Sequence, residues 1–338
     1  MRFVGVLALA VVGCGRIYFD PLGSADDAPL TDADFGDAPP VLGCIGLPAT
    51  CGPTGTNDCC ETLPVPGGMF FRSYDVGADL MYPDMIYPAT VTSFWLDKYP
   101  VTVGRYRLYL AMNQDMAVVP GAGDGGRTLN GIPNQGGWQT AWNNQLPATP
   151  TAQNLANNCD LADQTWTDTP GANESLPMSC LSWYDAMAFC IWDGGFLPTE
   201  AEWNFAASGG TEHRVYPWSN PPDFAMIDCS YANYFIGPAT HCTNGSIGAA
   251  NRVGSESPAG DARWGHADMA GNMWEWVIDW DAPYPTPCTD CAILSGGTAR
   301  GTRGGYFKNQ ANNLRSANRS SDNPPARVQH VGVRCARR

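Results

Sequence analysis

The sequence predicts an α+β domain that is rich in loops and holds little regular secondary structure. Three observations carry this reading. Helix signals are confined to three stretches, which begin near Val101, Ser182 and Thr199. From Asn113 to Pro177 the chain is rich in Gly, Asn, Pro and Thr, with Trp138, Trp142 and Trp166 embedded. An irregular stretch of that length inside a compact chain has to be packed by its own aromatics. Beyond Gly209 only short strand patterns appear, separated by turns. With 12 Trp, 13 Tyr and 12 Phe among 338 residues, side chains for such a core are plentiful.

Taken in order, the chain opens on MRF, then the apolar run VGVLALAVVG, then Cys14. A basic start, a short apolar run and small residues before a cut read as a secretory signal over residues 1–13. Val11-Val12-Gly13-Cys14 is similar to a bacterial lipobox, in which the cysteine is lipidated and becomes the new N-terminus. Residues 14–43 carry six aspartates and one basic residue, the composition of a disordered acidic tether. Cys44, Cys51, Cys59 and Cys60 make a Cys-rich collar over residues 44–62, and the main domain is placed at residues 63–338. LPVPGGMFFRSYD and ATVTSFWLDKY read as strands. VTVGRYRLYLAM has helical spacing, with Val103, Tyr106 and Leu110 on one side. In SCLSWYDAMAFCIWDGG, Ser182 caps a helix whose Trp183, Ala186, Met187 and Cys190 share a face, and Gly194-Gly195 ends it.

The stretch LPTEAEWNF raises a sharper question, because Glu200 and Glu202 suggest an acid/base pair. A spacing of two sends them to different faces of a helix. Thr199 to Glu202 is instead a T-x-x-E capping box, with both acids near the favourable end of the helix dipole and Gly209-Gly210 as the stop.

Composition removes several function classes. Lys and Arg total 19 against 33 Asp and Glu, a net charge of -14. Such a chain has no electrostatic footprint for nucleic acid or for an anionic bilayer, so membrane contact is expected only through the lipid on Cys14. Thirteen cysteines less Cys14 leave twelve, an even number that in an exported chain implies disulfides. Cys288-Thr-Asp-Cys291 could mark a redox or zinc site; oxidised structural pairing is the expectation in this setting. The four histidines show no ligand spacing.

Five ordered segments then carry a resemblance: LSWYDAMAFCIWDGGFLPTEAEWNFAASGG, YPWSN, DMAGNMWEWVIDW, RGTRGGYF and VGVRCAR. From about Leu63 to Arg338 the chain resembles the formylglycine-generating enzyme (sulfatase-modifying factor) family. The resemblance implies a C-type-lectin-like fold built as one domain, with LPTEAEW as scaffold. It also implies the pair Cys190–Cys335, and less certainly the local pairs Cys229–Cys242 and Cys159–Cys180.

Enzymes of that family oxidise a sulfatase cysteine with oxygen, on copper(I) held by two cysteines shortly after a Gly-Gly that matches Gly304-Gly305. Here the two positions are Asn309 and Leu314, or Ala311 for the second when counted back from Arg319. No cysteine lies between Cys291 and Cys335, and Tyr306 stands where a serine is usual. Amide and aliphatic groups cannot replace soft thiolates, so copper is not expected. Structural calcium is implied at Asp268, Gly271, Met273 and Glu275, and at Asn233, Tyr234, Asn244 and Ser246, a mixture of oxygens that suits a hard cation.

The expectation is an exported, membrane-anchored lipoprotein of the bacterial envelope, with a non-catalytic domain that binds a protein, peptide or glycan. Tyr306, Asn309, Gln310 and Asn313 offer amides and a phenol for a ligand, unless those amides only satisfy loop backbone. The loop around Gly136-Gly137-Trp138 and Trp142 is a second candidate surface, unless its indoles pack internally. The alternative function is a formylglycine-generating oxidase that uses Cys288 and Cys291.

Overall fold

The strand Trp274–Trp280 runs through the middle of the fold, and its sequence WEWVIDW sets what lies on either side. Side chains alternate across a strand. Trp274, Trp276 and Ile278 enter a buried cluster with Trp183, Met187 and Cys190. Val277 enters a second cluster with Ala201, Trp203 and Phe205. By pattern alone Glu275 and Asp279 belong on a wet face. Instead the Trp203 indole donates to Glu275 Oε2 at 2.7 Å, and the Glu200 amide donates to Asp279 Oδ2 at 2.7 Å. The strand is therefore buried on both faces.

The computed structural model describes residues 38–113, 115–160, 162–237, 240–242 and 249–338. The expected signal peptide, Cys14 and most of the acidic tether lie outside these residues, as do Asn244 and Ser246. The described residues fall in one compact unit. A four-stranded sheet has the order Ser320–Asp322, Arg300–Arg303, Trp274–Trp280, Val331–Gly332. A three-stranded sheet joins Thr62–Val65, Phe94–Asp97 and Ala336–Arg337, so the C-terminus pairs beside the start of the domain. Among the described residues no helix is long and apolar enough to cross a membrane.

Among the described residues, three of the four α-helices stand where the sequence places them. Helix α1 (Val103–Met112) is capped by Thr102, whose side chain accepts from the Arg105 amide. Helix α2 (Pro150–Ala156) lies inside the long irregular stretch and was not expected there. Helix α3 (Trp183–Trp192) starts on a capping box of Ser182 and Asp185. Helix α4 (Glu200–Ser208) starts on the Thr199–Glu202 box, with the Thr199 amide donating to Glu202 Oε2 at 2.7 Å. It stops at Gly209, whose φ of 68° is the left-handed region that favours glycine.

All twelve cysteines among the described residues are paired: Cys44–Cys60, Cys51–Cys59, Cys159–Cys180, Cys190–Cys335, Cys229–Cys242 and Cys288–Cys291. The Cys-rich collar is packed onto the domain, since Cys51 and Cys59 share a buried cluster with Tyr99, Val253 and Ala267.

Four buried charges lock the C-terminal strand. Arg105 donates to Asp97 at 2.9 Å and to Asp193 at 2.7 Å, and Arg337 bonds the same two carboxylates. None of the four side chains is more than 1% exposed.

Candidate functional site

The strand Arg300–Arg303 delivers Gly304 and Gly305 to the surface of α4. Both have positive φ, 99° and 80°. A Cβ on Gly304 would meet the Trp203 ring at 3.3 Å, and one on Gly305 would meet Leu314 at 2.8 Å. The chain then turns, and the residues of the expected ligand site follow. The Tyr306 amide donates to Asn309 Oδ1 at 3.0 Å, and the Asn309 amide donates back to the Tyr306 carbonyl at 2.8 Å. Phe235 donates to the Asn309 carbonyl at 2.9 Å. Asn309 thus closes its own turn, which is the backbone-satisfying role that short amide side chains often take.

Gln310 is exposed and precedes a 3-10 turn, Ala311–Leu314. The Asn313 amide donates to the Gln310 carbonyl, and the Asn313 carbonyl accepts from the Asn318 side chain at 2.9 Å. Leu314 is fully buried in an apolar cluster with Val215, Tyr216, Trp218 and Ala270. Half-buried Tyr306 lies 5.3 Å, ring to ring, from His330. Of the expected ligand residues, Tyr306 and Asn309 are bonded to each other, and Gln310 and Asn313 follow on the next turn.

The comparisons with known proteins bear on this turn. Residues 48–338 match the family model described as "Sulfatase-modifying factor enzyme 1-like domain". The chain belongs to the sulfatase-modifying-factor family. It is 36% identical over 189 residues to a formylglycine-generating enzyme of Thermomonospora curvata, covering 51% of this chain and 60% of that protein. It is 32% identical over 170 residues to an inactive C-alpha-formylglycine-generating enzyme 2 of Bos taurus, covering 49% and 52%. The chain thus spans between half and three fifths of the length of these two relatives. Among solved structures, PvdO from Pseudomonas aeruginosa aligns with a TM-score of 0.53 at 20% identity, over 82% of this chain and 94% of that one. CarF aligns with a TM-score of 0.50 at 17% identity, over 82% and 98%. These structural likenesses show the loop-rich sulfatase-modifying-factor fold. Relatives named as active and as inactive both align, so membership of the family does not decide activity.

The calcium residues implied by the sulfatase-modifying-factor resemblance are placed as follows. Asn233 is buried; its Nδ2 donates to the Ala249 carbonyl at 2.9 Å, while its Oδ1 has no partner. Tyr234 is buried beside it. Asp268 is buried and accepts from the Gly254 amide at 2.6 Å. Burial, and then the neighbouring Glu256 carboxyl, push Asp268 well above the usual carboxylate range. The Gly271 carbonyl accepts from the Met273 amide at 2.7 Å. The orphaned buried oxygen on Asn233 fits one implied site, and the buried Asp268 carboxyl, which no cationic side chain bonds, fits the other. The Glu275 carboxylate is spent on protein donors, with Arg334 at 2.8 Å on one oxygen and Trp203 at 2.7 Å on the other.

Sequence reasoning missed the charged groups behind the Gly-Gly turn. Glu200 is a buried hub: Arg303 Nε donates to it at 2.9 Å, Arg319 Nη2 at 2.9 Å and the Tyr284 hydroxyl at 3.0 Å. Glu202 caps α4 and also pairs with Arg127 and Arg338. Both acids are scaffold. The indoles of Trp138 and Trp166 in the long loop are buried too, whereas Trp142 is only half-buried.

Proposed function

We propose that this chain is an exported lipoprotein whose sulfatase-modifying-factor domain binds a ligand without transforming it. The observation that carries the reading is the fate of the two copper positions. Asn309 is folded into its own turn, and Leu314 is packed among aromatic rings. Counted back from Arg319, the second position is Ala311, which has no ligating side-chain atom. The Cys288–Cys291 alternative is weakened by the bond between those sulfurs, since a disulfide offers no thiolate. The test is to incubate purified protein with copper and a Cys-x-Pro-x-Arg peptide under oxygen. No aldehyde is expected at the peptide cysteine. Turnover at an enzyme-like rate would replace this reading with that of an oxidase.

The anchor is part of the same proposal and rests on the sequence at Val11–Cys14. A single acyl chain holds a protein only marginally, so stable attachment needs more than one. Cys14→Ser is expected to move the protein from the membrane to the soluble fraction of its cell. Unchanged fractionation would remove the lipoprotein claim.

We also assign structural calcium to the two implied sites, supported in one by the orphaned Asn233 oxygen and in the other by the buried Asp268 carboxyl, with Glu275 left to Arg334 and Trp203. A ligand that binds only the folded state stabilises it by mass action, about 2.7 kcal/mol at a hundred times the dissociation constant. Calcium is expected to raise the melting temperature and chelator to lower it. Asp268→Ala should weaken that dependence, since alanine leaves no ligating oxygen. A melting temperature indifferent to both additions would refute the assignment.

A further inference from the structure

Arg300 is the least explained charge among the described residues. It is 2% exposed and sits in a sandwich of indoles, its Cζ 3.7 Å from the Trp280 ring centre and 3.8 Å from that of Trp183. Nη1 donates to the Ile278 carbonyl at 2.5 Å, and Nε is buried with no partner. Among the described residues it forms no ion pair, unlike Arg105, Arg127, Arg303, Arg334 and Arg337. Buried Arg72 has no ion pair either, but it spreads its donors over Tyr87, Pro285 and Cys291.

A buried cation without an anion is costly, because cation–π contacts offset only part of its desolvation. Burial pushes the guanidinium down to about 9, with Tyr184 and Asp279, neither of them in contact, pulling it back up. The missing partner has a place to sit. Arg300 lines a cleft of about 230 Å³, whose other walls include Asn134, Gln135, Gln139, Trp142 and Leu294. Its Cζ is 5.8 Å from the Trp142 ring centre.

We infer that this cleft binds a small organic carboxylate, with its oxygens toward the Arg300 guanidinium and its body against the Trp142 ring. With Nη1 taken by the Ile278 carbonyl and Nε sealed from solvent, Nη2 is the donor left for a carboxylate oxygen. Arg300 is the only cation among the lining residues, so the charge balance favours a singly charged anion over a phosphate. The side-chain amides of Asn134, Gln135 and Gln139 supply neutral donors and acceptors for a polar body. The volume lies below the range for drug-sized ligands, which limits the occupant to one sugar acid or one terminal amino-acid unit. A half-buried indole wall suits either. The overall charge of -14 gives no long-range attraction for an anion, so selection rests on the cleft itself.

This inference deepens the binding-module reading and rests on it, and the two fail separately, one by aldehyde formation and the other by absent binding. The probes are glucuronate and N-acetylalanine, which share the carboxylate, with glucose and inorganic phosphate as controls. Titration of the full-length protein, followed by tryptophan fluorescence and calorimetry, is expected to saturate with at least one carboxylate and with neither control. The arm that saturates distinguishes a sugar acid from a peptide terminus. Arg300→Gln should weaken binding at least tenfold. Because that change touches the core, Gln135→Glu is the companion variant: it leaves the indole sandwich intact, adds a competing carboxylate to the cleft wall, and should also weaken binding at least tenfold. The proposal is overturned if neither carboxylate saturates, if glucose or phosphate binds as well as the carboxylates, or if Gln135→Glu binds like the unmodified protein.

Discussion

Arg337→Met is expected to cost about 3–5 kcal/mol of folding stability, the usual range when one partner is removed from a buried ion pair. Against a total of about 5–15 kcal/mol for a natural domain, that is a large fraction. The size follows from the local charge count. Asp97 and Asp193 are both buried, and Arg105 and Arg337 each contact both of them. Removing Arg337 leaves two carboxylates to share one guanidinium in a dry environment. The pH dependence has a definite sign. Burial already pushes the Asp193 carboxyl up, with Arg105 and Arg337 pulling it down. Without Arg337 its folded-state pKa lies further above the unfolded value. The folded variant then binds a proton that the unfolded chain does not, so its relative stability rises as pH falls toward about 4. Urea unfolding of the two proteins at neutral and acidic pH reads both effects. A difference below about 1 kcal/mol at neutral pH would show that the network contributes specificity but little stability.

The same network marks the boundary of what could be read in the sequence. Local rules worked where cause and effect lie within a few residues. Thr199 and Glu202 form their capping box, Ser182 caps the long helix, and Gly209 ends the next one. The loop-rich architecture followed from the indoles between Asn113 and Pro177, although α2 within it carries too weak a periodicity to be seen.

What stayed hidden is long-range charge pairing. Glu200 is met by Arg303 and Arg319 from 103 and 119 residues away, and Glu275 by Arg334 from 59. Nothing near an acid in sequence announces that it is buried. WEWVIDW therefore reads as a strand with one wet face, when the acid face is covered by α4 and by Arg334, which lies between the last two strands. The candidate ligand turn was only half legible. Its residues stand together, but the amide of Asn309 is used on Tyr306. Arg300 escaped notice because its significance lies in the partner that it lacks, and no motif signals that.

The loss of Cys190–Cys335 is expected to be larger than the loss of any local disulfide, and comparison with Cys288–Cys291 isolates the reason. Cys190 lies on α3 and Cys335 stands just before the last strand, with sequence separation 145 and Cα atoms 5.4 Å apart. Both sulfurs are in the main buried cluster. In the chain-entropy model a closed loop of that length stabilises the fold by ~5 kcal/mol, whereas the separation of 3 between Cys288 and Cys291 gives only ~1.6 kcal/mol. Alanine pairs are the right probes, since serine would bury an unsatisfied hydroxyl and add its own penalty. The contrast also has a structural side. Cys335 precedes the strand Ala336–Arg337, which pairs with Phe94–Asp97 and carries Arg337 into the buried charge network. Releasing the bond frees that strand, so the double-alanine variant should lose part of what Arg337→Met loses, and the two changes together should cost less than their sum. Denaturant unfolding of the two disulfide variants, with and without Arg337→Met, reads all of this. Equal destabilisation by the long-range and the local pair would contradict the loop-entropy account, and strict additivity with Arg337→Met would contradict the coupling through the last strand.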